Sequence, residues 1–188
     1  FRGCVMDQLF GDVHRATVRT LARAGWEVVV PSEPRCCGAL HAHDGDPEFA
    51  ARLAKQVIAS FPNDGAPIVV NSAGCGAARR EYGEWLSDDP QWSERAARFA
   101  ARVRDYSELL AGQPLAASLA ARVTYQDPCH LAHVQRVREA PRAVLTAVRG
   151  LELVETANAD MCCGAAGLYS LLQRPLSDGI AARKLEAV

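Results

Sequence analysis

The sequence has no run of about 18 uninterrupted apolar residues, so it offers no membrane-spanning helix. Its first residues, Phe1-Arg2-Gly3-Cys4, carry neither the apolar core nor the cleavage site of a signal peptide. It lacks an excess of either charge: 21 Lys and Arg against 22 Asp and Glu leave a net −1. Nucleic acid and anionic membrane therefore have no electrostatic claim on it. Cysteine is too sparse for a disulfide scaffold, with seven in 188 residues against the roughly 8–10% such scaffolds carry. No C-x2–4-C knuckle of structural zinc occurs, because Cys75 is followed by Gly76, Ala77 and Ala78. A Ser-His-Asp set, a phosphate-cradling glycine loop and catalytic carboxylate pairs are missing too. These absences point to a soluble, cytoplasmic protein, and apolar residues at 49% give it ample core.

What is present is an internal repeat. Cys4 is followed 32 positions later by Cys36-Cys37-Gly38, and Cys129 is followed 33 positions later by Cys162-Cys163-Gly164. Between them the copies run at an offset of 125: Gly25 matches Gly150, and Trp26-Glu27-Val28-Val29 matches Leu151-Glu152-Leu153-Val154. The first copy continues to Cys75. Its counterpart falls at about position 201, past Val188, and the strand before Cys129 has its counterpart upstream of Phe1. The repeat thus predicts a piece lacking a first strand and an eighth cysteine, with copies over 1–118 and 119–188.

The predicted fold class is α/β: two tandem repeats of βαβ units, parallel strands covered by helices, and cysteines at the carboxyl ends of strands. Helices are expected over 12–24, from Asp46-Pro47 to Phe61, over 77–86 and over 142–149. Trp92, Ala96, Phe99, Val103, Tyr106 and Leu110 form one helical stripe, which predicts a single long, core-facing helix. Arg95 to Arg104 alternates with Ala as a solvated face. Strands are expected at 26–30, 68–70, 123–125 and 151–156, with 112–121 as the bridge between copies.

Adjacent cysteines are poor disulfide partners, since neighbouring Cα atoms sit about 3.8 Å apart and a relaxed disulfide spans roughly 4.4–6.8 Å. Any single cysteine here can be a small buried hydrophobe, but two CCG triplets under one spacing rule suggest shared chemistry. Converging thiolates repel one another, so they imply metal or bonded sulfur. Soft thiolates select zinc, copper(I) or iron–sulfur clusters. Four cysteines per copy on separate loops favour cluster ligation over zinc, with dithiol redox chemistry third. Candidate ligands are Cys4, Cys36, Cys37, Cys75, Cys129, Cys162 and Cys163. Gly38, Gly74 and Gly164 are candidates for close backbone approach to a cluster. His41, His43, His130 and His133 follow cysteines and are read as solvated or structural groups first, ligands second. Asp127-Pro128 reads as a turn device.

The doubled pattern, Cys4…Cys36-Cys37-Gly38…Cys75 and Cys129…Cys162-Cys163-Gly164, resembles the cysteine-rich CCG domain family over essentially the whole chain. That family includes the catalytic subunit of heterodisulfide reductase, lactate-utilisation iron–sulfur proteins and the iron–sulfur subunit of glycolate oxidase (glycolate dehydrogenase). The flanks Ser72-Ala73-Gly74-Cys75-Gly76-Ala77, Glu81-Tyr82-Gly83 and Cys162-Cys163-Gly164-Ala165-Ala166-Gly167-Leu168-Tyr169 are most similar to the last. The resemblance implies an electron-transfer subunit with an iron–sulfur cluster of the [4Fe-4S] type and no substrate site of its own. It implies an FAD-containing flavoprotein partner that oxidises glycolate to glyoxylate, a quinone or other acceptor, and a cytoplasmic location, peripheral to the inner membrane. Heterodisulfide chemistry, lactate utilisation and a zinc-stabilised scaffold are the alternatives. Two features depart from the family: Ala78 stands where the closing C-x2-C places a cysteine, and the ferredoxin-like C-x2-C-x2-C-x3-C-P runs of the glycolate oxidase subunit are not in this sequence.

Overall fold

A computed structural model describes residues 1–33, 35–165 and 167–186. Ala166 of the second CCG flank, and the last two residues of the 119–188 copy, lie outside them. Two compact units result, Phe1–Leu110 and Ala111–Val188. Both mix helices with a small parallel sheet, so the chain is α/β.

The first unit opens with helix α1 (Cys4–Leu9) and helix α2 (Gly11–Arg23). Gly25 ends α2 as predicted, at φ +91°. The Trp26 N–H reaches back to the Leu21 carbonyl at 3.1 Å, a bond that only a left-handed residue at position 25 permits. After the first triplet come α3 (Ala39–His43) and α4 (Pro47–Ala59). Asp46 caps α4, its carboxylate accepting from the Phe49 N–H at 3.0 Å. Strand β1 (Ile68–Val70) leads to α5 (Ala73–Arg80), α6 (Tyr82–Trp85) and α7 (Ser93–Arg102). Strand β2 (Val103–Asp105) then pairs in parallel with β1, Ile68 opposite Val103, before α8 (Tyr106–Leu110).

The long helix expected across Trp92–Leu110 is therefore two helices with a strand between them. Val103 lies on the helical stripe, yet it is buried in the ladder beside Ile68. Pairing a fully buried backbone with β1 outweighs a weak local helical preference. The core around this sheet joins Ala54, Val57 and Ile58 of α4 to Val70, Tyr82, Leu86, Ala96 and Phe99. The Tyr82 and Phe99 rings stack at 5.6 Å. The 77–86 segment, expected as one helix, is split between α5 and α6 at Glu81.

Trp26–Val30 does not form the expected strand; among the described residues it enters no ladder. Val29 is 82% exposed. The run faces a cavity of about 480 Å³, and Phe1, Val18, Leu21, Phe61, Ile68 and Val69 are among the residues that line its other walls. A strand needs a neighbour for its N–H and C=O groups, and among the described residues Trp26–Val30 has none. The Phe1 nitrogen donates to the Val69 carbonyl at 2.8 Å, and the Arg35 N–H donates to the Arg2 carbonyl at 3.1 Å.

In the second unit β3 (Ser118–Val123) pairs in parallel with β4 (Arg149–Leu153). A one-turn π-helix (His130–Val134) and α9 (Glu139–Thr146) lie between them in sequence, and α10 (Tyr169–Leu172) and α11 (Arg174–Leu185) follow. Strand β3 thus begins inside the segment expected to bridge the copies and stops at Val123. Helix α9 starts three residues earlier than the predicted helix.

Candidate metal centre

The first unit brings four cysteines together from three segments. Cys4 opens α1, Cys36 and Cys37 lie on the loop before α3, and Cys75 sits in the first turn of α5. Cys37 is buried and Cys75 half-buried. The Cys37 Sγ–H donates to Cys75 Sγ at 3.4 Å, and the Gly38 N–H points to Cys36 Sγ at 3.5 Å. Ala39, Ala78 and Trp85 close the apolar side of this pocket.

These contacts sort the protons. The hydrogen bond from Cys37 lowers the Cys36 thiol to about 5, and burial opposes it. The bond from Cys37 likewise lowers Cys75 to about 5, with help from the Arg79 guanidinium. Cys37 pays the converse: hydrogen bonding to Cys36 and Cys75, together with burial, pushes its own thiol up. Burial first, then the Cys36 charge, raises Cys4. Cys36 and Cys75 are thus the sulfurs tuned toward thiolate, and Cys37 and Cys4 the ones tuned to keep their protons. Soft, part-ionised sulfur donors on separate segments, with a backbone N–H aimed at one of them, suit an iron–sulfur cluster. Among the described residues, no three His, Cys, Asp or Glu side chains are arranged to hold a single metal ion.

The second unit repeats the local device with fewer sulfurs. The Gly164 N–H points to Cys162 Sγ at 3.4 Å, matching Gly38 and Cys36. Cys129 lies near enough to Cys162 that burial and then that sulfur's charge raise its thiol. Cys162 and Cys163 are exposed, unlike Cys37.

Gly38 and Gly164 hold left-handed backbones at φ +84° and +82°. A Cβ on Gly38 would meet the Ala50 carbonyl oxygen at 3.1 Å, and one on Gly164 would meet that of Ser177 at 2.6 Å. Glycine is needed at both for the turn and for packing, as well as for presenting an N–H to sulfur. Gly74 lies in the first turn of α5, one residue before Cys75, and a Cβ there would meet no protein atom within 4 Å.

The histidines divide. His41 packs against the Phe49 ring in a tilted arrangement, centroids 4.4 Å apart, and adds a minor charge effect to Cys36. His133 contacts the Asp160 carbonyl at 3.4 Å and Arg138 at 3.1 Å, a structural role. His43 and His130 each make an interaction of their own.

Comparison with known proteins fits this geometry. The family model for CCG, the cysteine-rich domain, matches residues 1–78 and 123–188, which include every cysteine described above. The chain belongs to the CCG family. All of this CCG chain aligns with a Bacillus subtilis (strain 168) protein named "Probable glycolate oxidase iron-sulfur subunit", at 42% identity over 194 residues, but it spans only 44% of that relative's length. It is 33% identical to "Lactate utilization protein A" of Geobacillus thermodenitrificans (strain NG80-2), covering 80% of that protein. The same name and identity recur in Halalkalibacterium halodurans, with 78% covered.

Two groups that serve the CCG loops were not read from the sequence as site residues. Asp127, read as a turn residue, is a buried carboxylate clamped by Arg142 at 2.9 and 2.7 Å. Its N–H donates to the Ala159 carbonyl at 3.0 Å, which ties the Cys129 approach to the segment entering Cys162. Arg79 is the other, wholly buried four residues after Cys75. Its only signal was an Arg at i+4 from a cysteine, on the same helix face.

Proposed function

We propose that Cys4, Cys36, Cys37 and Cys75 hold a [4Fe-4S] cluster, and that this chain is the electron-transfer part of a glycolate oxidase-type complex. The meeting of four sulfurs from three segments, with Cys37 and Cys75 at 3.4 Å, carries the reading. The cluster supplies one-electron transfer when bound. The residues supply the rest: Cys36 and Cys75 are lowered toward thiolate, the Gly38 N–H addresses the Cys36 sulfur, and Trp85, Ala39 and Ala78 limit water. Tyr82 fixes the triplet by donating its hydroxyl to the Cys37 carbonyl at 2.8 Å.

The name of the 42% relative supports glycolate as the fuel, oxidised on a separate FAD-containing subunit, with quinone as an acceptor and a cytoplasmic, membrane-peripheral position. No helix among the described residues is long and apolar enough to cross a membrane. The lactate utilisation relatives support a second reading in which the partner oxidises lactate. The repeats run 1–118 and 119–188, and Cys129, Cys162 and Cys163 offer a three-sulfur site in the second.

The test is iron, acid-labile sulfide and zinc content after anaerobic reconstitution. About four irons and four sulfides, lost in Cys36→Ser, is the expected result. About one zinc per chain without iron supports the zinc-scaffold alternative and overturns electron transfer here.

A further inference from the structure

Arg79 is 0% exposed. A buried guanidinium ordinarily sits against a carboxylate, because an unpaired charge in the interior costs several kcal/mol. Arg79 has none: it takes part in no ion pair among the described residues. One of its nitrogens, Nη1, donates to the Cys75 carbonyl at 2.7 Å, closing a turn of α5. Its Nε and Nη2 are buried with no acceptor. One face of the group lies over the Phe1 ring, 3.2 Å from the centroid. The ring offers weak attraction to a cation and takes no conventional hydrogen bond. Its charge is felt at the Tyr82 hydroxyl, at the Phe1 nitrogen and at two sulfurs. Arg79 acts on the Cys75 and Cys37 sulfurs by charge.

We propose that Arg79 is a positioning residue for the cluster of the first repeat, a buried cation that offsets its negative charge and offers it unused N–H donors. This rests on the cluster reading above and adds a claim about potential. A cluster on thiolates is anionic and becomes more so on reduction. A fixed cation in a low-dielectric pocket favours the reduced form, and N–H donors to ligand sulfur act in the same direction. Arg79 therefore raises the reduction potential. The contrasting role is purely structural: filling the space between α5 and Phe1 and tying down the Cys75 carbonyl.

Arg79→Gln and Arg79→Lys separate the two. Both are reconstituted anaerobically beside the unmodified chain. Folding is checked by circular dichroism, iron and sulfide are counted, and the midpoint potential is read from the electron paramagnetic resonance signal of the reduced cluster. The expected result is a lower potential in Arg79→Gln, with Arg79→Lys close to the unmodified chain. Loading retained by Lys and lost by a folded Gln variant gives the same answer. If the two variants behave alike, both at the original potential or both altered to the same extent, charge is not what Arg79 supplies and the inference falls. Failure of the unmodified chain to take up iron overturns the cluster reading instead, before any variant is compared.

Discussion

Trp26–Val29 and Leu151–Val154 hold the same place in the two copies, one offset of 125 apart, and they meet different fates. In the second unit the run lies in and just beyond β4, where Val123 stands opposite Leu153 and the Val154 N–H bonds the Val123 carbonyl at 2.8 Å. In the first unit Val29, the counterpart of Val154, is 82% exposed beside an open cavity. Neither composition nor alternation separates the two runs. In the second unit β3 satisfies the hydrogen bonds of the run, and among the described residues Trp26–Val30 enters no ladder. The cysteines show the opposite contrast. The first unit buries Cys37 against α3 and α5, whereas Cys162 and Cys163 remain exposed.

The largest expected effect tests whether the units stand on separate cores. Phe99→Ala removes a ring packed against Tyr82 and Phe61, at a cost of about 3–5 kcal/mol. Hydrogen exchange should show loss of protection in β1 and β2 while β3 and β4 keep theirs.

Next come the triplet glycines. Each alanine substitution costs about 1–2 kcal/mol for the left-handed backbone alone. Gly164→Ala should cost more than Gly38→Ala, because its Cβ would lie 2.6 Å rather than 3.1 Å from a carbonyl oxygen. Urea denaturation of the two variants ranks them.

The gentlest test is titration of the metal-free chain. Thiolate ultraviolet absorbance should persist at pH 7 and vanish as pH falls through about 5, the value to which Cys36 and Cys75 are lowered. An ordinary thiol, near 8.5 when free, lies above this. Because the folded values are depressed, their contribution to stability is complete above about 8.5 and declines as pH drops towards 5. The same titration in Cys37→Ala should move the Cys75 transition up, since Cys37 donates the 3.4 Å bond to its sulfur. No comparable low transition is expected from Cys129, whose thiol is raised.

The sequence by itself determined the features that depend on short-range chemistry. Cysteine spacing marks the candidate ligands and the family, because local rules place each CCG on a turn that only Gly38 and Gly164 can make. Helices α2 and α4 were legible for the same reason: Gly25 and Asp46 act within four residues of themselves. The tertiary structure alone decided features whose partner is remote. Val103 is helical by pattern and a strand by pairing with Ile68, 35 positions earlier. Trp26–Val30 is a strand by pattern but enters no ladder among the described residues. Asp127 became a buried clamp only because Arg142 folds onto it, and Arg79 became an unpaired interior cation only because α5 packs its charged face inward, beside sulfur. Charge and ladder terms depend on which groups burial brings together and how far it excludes water, and no local pattern in the chain encodes either.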